Sequence, residues 1–73
     1  MNRLEILLLD RKNGVIAGEY IDVQSVLGYF HRSGHINRFQ IVARRGERAL
    51  FIDHVDIATI AKKLSDFAIE RQQ

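Results

Sequence analysis

Residues 53–71 read DHVDIATIAKKLSDFAIER, a stretch with the periodicity of one amphipathic helix. Its apolar residues recur at the three- and four-residue spacing that places side chains on one helical face: Ile57, Ile60, Ala61, Leu64, Phe67 and Ala68. Asp53 is the predicted N-cap, because its carboxylate can accept from the free backbone N–H groups of the first turn. The sequence predicts no second helix of similar length, so this apolar face is expected to pack on a sheet.

Upstream of this helix, the first part of the chain predicts a hairpin. Residues 4–9 form a nearly continuous apolar run, which is typical of a strand that is buried on both faces. Asn13 and Gly14 favour a two-residue turn, since a type I′ turn needs positive φ at both central positions. A second strand is predicted over residues 15–21.

A shorter helix and a second hairpin follow. Asp22 is the predicted N-cap of this helix, and Gly34 is its predicted left-handed end. Residues 36–44 alternate between apolar and polar side chains, the period of a half-buried strand. After a tight connection at residues 45–47, residues 48–52 return as a fourth strand.

These elements predict an α+β fold of two layers in the order ββαββα. A four-stranded antiparallel or mixed sheet would carry both helices on one face, within a single domain over residues 1–73. The other sheet face would then stay uncovered. Five apolar side chains are predicted to lie on that face and to form the interface of a homodimer: Leu7, Leu9, Val42, Leu50 and Ile52.

Composition excludes several classes of protein. The chain has no cysteine, which rules out disulfides and thiolate metal sites. With 47% hydrophobic and 27% charged residues, the sequence is typical of a globular protein rather than a disordered one. The apolar run near the N-terminus is too short to span a bilayer, so a cytoplasmic protein without a membrane partner is expected.

The sequence assigns no residue to catalysis, to a metal ion or to a cofactor. His31 and His35 have the i, i+4 spacing of a helical metal pair, but Gly34 between them is predicted to end the helix. The serines do not lie in a nucleophile-elbow motif, and the five glycines are scattered singly rather than grouped in a phosphate-binding loop. Four acidic residues are predicted to be solvated: Glu5, Asp10, Glu19 and Asp22.

Positive charge is concentrated between residues 31 and 48, where five arginines oppose one glutamate and leave a local excess of +4. Guanidinium groups at strand spacing suit phosphate contacts, and a two-stranded ribbon fits the major groove of DNA. The residues predicted to contact nucleic acid are Arg38, Gln40, Arg44, Arg45 and Arg48.

The sequence therefore leaves two functions open. The first is a small, non-enzymatic regulatory or accessory protein, dimeric, that contacts DNA or RNA phosphates through the arginine-rich hairpin. The second is an adaptor for another protein, or a homodimerisation module, that uses the apolar sheet face or an open edge strand and has no nucleic-acid role. The first requires the arginines to share one exposed surface, whereas the second requires an apolar face that no helix covers.

Overall fold

The computed structural model describes residues 3–53 and 56–69 as four strands, two α-helices and one short 3-10 helix. The elements follow in the order β1 (Glu5–Asp10), β2 (Val15–Tyr20), α1 (Val23–Ser33), the 3-10 helix (Ile36–Arg38), β3 (Phe39–Arg45), β4 (Arg48–Ile52) and α2 (Ile57–Ala68). The strands form one antiparallel sheet in the order β2-β1-β3-β4. The predicted α+β class, with a four-stranded sheet and two helices, is therefore confirmed, and the 3-10 helix is an addition to the predicted order.

Both helices pack on the same face of the sheet and bury the core there. Helix α1 contributes Val26 and Phe30, and helix α2 contributes Ile60, Leu64 and Phe67. The sheet contributes the inward-facing side chains Ile6, Leu8, Phe39, Ile41, Ala43 and Ile52. Burial of one large apolar side chain stabilises a fold by about 1.5–3 kcal/mol relative to exposure. This single face therefore provides most of the hydrophobic stabilisation.

The ends of α1 lie where the sequence predicts them. The Asp22 carboxylate accepts from the backbone N–H of Ser25 at 2.8 Å and satisfies a free donor of the first turn. Gly34 has a φ of 71°, and its N–H donates to the carbonyl of Phe30 at 2.9 Å. Glycine adopts this left-handed conformation at little cost because it has no Cβ.

Helix α2 begins later than predicted. Its N-cap is Asp56, whose carboxylate accepts from the backbone N–H of Thr59 at 2.8 Å. The prediction that Asp53 caps the helix is wrong, since Asp53 forms an exposed ion pair with Arg11 instead. Residues 54–55 and 70–71 of the predicted helix lie outside the described residues.

The β1–β2 hairpin is confirmed, but its loop is longer than predicted. Asp10 pairs with Val15, so the connection comprises the four residues 11–14 rather than a two-residue turn. Within it, the N–H of Gly14 donates to the carbonyl of Asp10 at 2.8 Å. The side chain of Asp10 also shapes this loop, as described below.

The strand predicted over residues 36–44 is shorter at its start and longer at its end. Its first three residues form the 3-10 helix, in which the N–H of Arg38 donates to the carbonyl of His35 at 3.1 Å. Strand β3 then continues through Arg45. These changed bounds place Arg38 before the strand and Arg45 within it.

The connection between β3 and β4 therefore has two residues, 46–47, and places Arg45 opposite Arg48. In this register Leu50 and Ile52 lie on the helix side of the sheet, where Ile52 is 2% exposed and Leu50 packs against the core. The prediction that these two side chains lie on the uncovered face is wrong. A register slip of one residue reverses the face of every side chain in a strand.

Ile60 and Ile69 provide a matched test of where the core lies. Ile60 is 0% exposed in α2, whereas Ile69, just beyond the helix, is 72% exposed. We expect Ile60→Ala to lower the free energy of unfolding by about 2–5 kcal/mol, because it removes buried apolar surface and leaves a cavity. Ile69→Ala should change it by less than about 0.5 kcal/mol. Urea denaturation followed by circular dichroism measures both, and equal effects would contradict the packing of α2 on the sheet.

Candidate interaction surface

The residues predicted to bind nucleic acid do not share one surface. Gln40 and Arg44 alternate with buried side chains of β3, so they lie on the sheet face opposite the helices. Arg45 and Arg48 are cross-strand partners on the helix side. Arg38 lies in the 3-10 helix, at the other end of β3. The predicted arginine set is therefore divided among three places.

Arg45 and Arg48 contact the C-terminal end of α2. The guanidinium of Arg45 donates to the carbonyl of Ala68 at 2.6 Å, and that of Arg48 lies 4.3 Å from the centroid of the Phe67 ring. Carbonyls of a last helical turn lack intrahelical donors, and the helix dipole favours a cation there. Both arginines thus hold the β3–β4 hairpin against α2, which is a structural role.

Arg38 is separated from the other arginines by the length of β3. Arg38 and Arg44 are six positions apart in the sequence, which corresponds to about 20 Å at about 3.3 Å per residue. The guanidinium of Arg38 is 3.5 Å from the carboxylate of Asp10. The prediction that Arg38 and Arg44 project from one strand in the same direction is wrong, because Arg38 precedes the strand.

Asp10 is 7% exposed, although the sequence predicts a solvated charge. Its Oδ1 accepts from the backbone N–H groups of Lys12 at 2.9 Å and Asn13 at 3.2 Å, and its Oδ2 accepts from the Asn13 side chain at 3.1 Å. The hydrogen bond from the Asn13 backbone is the main cause that lowers the pKa of Asp10 below its ordinary value of 3.8. Desolvation opposes this shift, while Lys12 and Arg38 reinforce it.

The lowered pKa of Asp10 predicts how stability depends on pH. A carboxylate with a lower pKa in the folded state contributes stability above its unfolded pKa, and that contribution is lost as pH falls through the folded pKa. We expect Asp10→Asn to be less stable than the wild type at pH 7, with the difference shrinking as pH falls below 3.8. Urea denaturation across this pH range measures it. A difference that stays constant with pH would show that the charge of Asp10 contributes nothing.

The face of the sheet opposite the helices, called the open face below, consists of three rows of cross-strand neighbours. Antiparallel partners point to the same side of a sheet, so the register defines each row. The outer row is Ile16, Leu9 and Gln40; the middle row is Glu19, Leu7, Val42 and Phe51; the third row is Glu5, Arg44 and Ala49.

The open face is mainly apolar. Phe51 and Ile16 are 65% and 52% exposed, and Leu7 and Leu9 are half-buried. Val42 is only 8% exposed, because its neighbours in the middle row stand on either side of it. Among the described residues, neither helix packs on this side, since the core cluster that holds both helices lies on the other.

Charged groups stand mainly at one end of the open face. The guanidinium of Arg44 donates to the carboxylate of Glu5 at 2.6 Å, across the β1–β3 pairing. Glu19 lies at the β2 edge of the middle row. These strand positions carry two carboxylates and one guanidinium, a sum of −1. The face is therefore not a basic surface.

The structure brings together part of the predicted dimer interface. Leu7, Leu9 and Val42 lie on the open face, whereas Leu50 and Ile52 belong to the helix side. Sequence reasoning missed two exposed apolar residues of this face, Phe51 and Ile16. A two-residue β3–β4 turn would have predicted that Phe51 lies on this face, because the length of the connection sets the register of β4.

The other candidate sites within residues 3–53 and 56–69 are a metal site and a ligand pocket. No group of three or more potential ligands is placed to hold a metal ion there. A shallow groove of about 280 Å³ is lined by Leu50, Lys63, Asp66 and Phe67, which is below the range of about 300–1,000 Å³ typical of ligand pockets. In the same part of the chain, no helix is long and apolar enough to cross a membrane.

Comparison of the chain with protein-family models, with curated proteins and with solved structures finds no match.

Proposed function

We propose that this protein is a small, non-enzymatic interaction module that binds a second copy of itself through the open face. The observation that carries the proposal is the exposure of Phe51, 65%, beside Leu7 and Val42 on a sheet face that no described helix covers. The largest contiguous apolar patch on a monomer is often a functional site.

The size of the open face sets the expected strength of association. Four strands at a spacing of about 4.8 Å, each about five residues long at about 3.3 Å per residue, give a footprint of roughly 19 by 17 Å. This footprint is small compared with the standard of about 800 Å² buried per partner. We therefore expect a reversible dimer with a dissociation constant in the micromolar range or weaker.

The chemistry of the open face favours a second copy over a nucleic acid. A phosphate backbone needs a cluster of cations, whereas the strand positions of this face carry two carboxylates and one guanidinium. Arg45 and Arg48 contact the end of α2, and Arg38 lies beside Asp10. A second open face, in contrast, supplies apolar side chains and both signs of charge. Nucleic-acid binding stays a prediction from the local charge of residues 31–48.

Replacement of Phe51 tests the proposed dimer. We expect the wild-type chain to show a mass that rises with concentration toward twice 8.4 kDa, and Phe51→Lys to remain monomeric, because a charge cannot be buried against an apolar face without a partner. Sedimentation equilibrium from about 10 to about 500 µM covers the range that the size of the face predicts.

Ile69→Lys is the matched control for this experiment. Ile69 is 72% exposed, like Phe51, but it follows α2 on the helix side of the sheet. This variant should dimerise as the wild type does. A wild-type chain that stays monomeric at the highest concentration would refute the proposal, and so would equal dimerisation of the wild type and folded Phe51→Lys.

A salt titration tests the alternative function. We expect no binding of the wild-type chain to a DNA duplex or an RNA hairpin at about 50 mM salt, since the arginines do not form one basic surface. Fluorescence anisotropy of the labelled nucleic acid measures whether the chain binds. Binding at low salt that weakens steeply toward about 200 mM and is lost in Arg44→Glu would support the nucleic-acid role instead.

A further inference from the structure

The open face restricts how two copies can pack against each other. Two identical faces that meet are related by a two-fold axis lying in the plane between them. Aligned sheet packing keeps the two sets of strands within about 30° of each other, so this axis runs either along the strands or across them. In both orientations the open face of one copy covers the whole open face of the other. The positions of the charged residues distinguish them.

With the axis across the strands, the middle row of one copy lies over the middle row of the other. Glu19 then faces Glu19 of the second copy at the β2 edge, which places two like charges together. The charged third row meets the outer row, so Glu5 lies over Leu9 and Arg44 lies over Gln40. In this orientation the Glu5–Arg44 pair is covered without meeting an opposite charge of the second copy, so nothing across the interface offsets its desolvation.

With the axis along the strands, between β1 and β3, the β1 strand of each copy lies over β3 of the other. Leu7 then meets Val42, and Glu19 lies over Phe51 at the sheet edge. Glu5 meets Arg44, and Arg44 meets Glu5. The carboxylate of Glu5 and the guanidinium of Arg44 are 2.6 Å apart within one chain. In the dimer, this pair and the same pair of the second copy form a group of four charges of alternating sign. Sheets that pack face to face lie about 10 Å apart, a gap that glutamate and arginine side chains from opposite sides can bridge.

We propose that the second copy packs with its two-fold axis parallel to β1 and β3, so that the Glu5–Arg44 pairs of both chains form one reciprocal charge cluster across the interface. This inference rests on the proposed dimer and deepens it: the apolar side chains supply affinity, and the Glu5–Arg44 pair selects the orientation. Complementary charges across an interface fix its register and suppress alternative pairings.

A mixing experiment with charge variants tests this arrangement. Glu5→Lys makes the cluster wholly positive in a homodimer, and Arg44→Glu makes it wholly negative. Each variant alone should therefore dimerise at least about tenfold more weakly than the wild type. An equimolar mixture should recover dimerisation as heterodimers, because every position then faces its opposite charge. Sedimentation equilibrium measures the association, native mass spectrometry identifies the heterodimer, and circular dichroism confirms that each variant is folded.

A second exposed ion pair provides the control. Lys62 and Asp66 are 3.1 Å apart on α2, with side chains 77% and 65% exposed, on the side of the sheet away from the open face. Lys62→Glu, Asp66→Lys and their mixture should all dimerise as the wild type does. This control matches the type of substitution in a second exposed ion pair but not the location.

The possible failures of the experiment are distinguishable. If the wild type dimerises and Phe51→Lys does not, but the Glu5→Lys and Arg44→Glu mixture associates no better than either variant alone, the proposed orientation is wrong and the dimer stands. If the wild type is monomeric at every concentration, the proposed function fails and the orientation fails with it.

Discussion

The fold depends on the burial of one face of the sheet beneath two helices. The fully buried side chains of β1, β3, α1 and α2 meet in one cluster. Within it, the side chains of Ile6, Phe30 and Leu64 are 0%, 1% and 1% exposed. A chain of this length buries only about 60% of the surface that its unfolded form exposes. Two helices of 11 and 12 residues cover one side of four strands, and the described residues supply no third layer. The one-sided core and the open face are therefore two consequences of the same two-layer arrangement.

The periodicity of the sequence was sufficient to predict the class, the strands and the helices, but not the register of β4. Treating residues 45–47 as the connection places Arg44 opposite Arg48 and puts Leu50 and Ile52 outside. The actual turn is one residue shorter, so Arg45 is opposite Arg48 and Phe51 is outside instead. Strand β4 contains apolar residues at four consecutive positions, 49–52. Alternation therefore could not reveal the error, because either phase places apolar side chains on both faces.

The arginines show why local charge predicts function poorly in a small domain. Residues 31–48 are basic as a segment, yet the fold distributes its arginines among α1, a 3-10 helix, the open face and the end of α2. Arg45 donates to a carbonyl at the end of α2, and Arg48 packs over the ring of Phe67. Both contacts stabilise the fold. The sequence could not show this, because these contacts join positions about 20 residues apart. The exposed apolar residues of the open face were more informative, because neither described helix covers them.

Strand β1 provides the strongest physical reason to expect a partner. Its run of apolar residues is typical of a strand covered on both sides, and the structure covers Ile6 and Leu8 but leaves Leu7 and Leu9 half-buried. Polar residues at Leu7 and Leu9 would leave the core unchanged, because they point away from it. Their apolar character therefore contributes nothing to the packing of the helices. A second open face gives these side chains an apolar environment, while the Glu5–Arg44 pair beside them keeps a charged partner in either state.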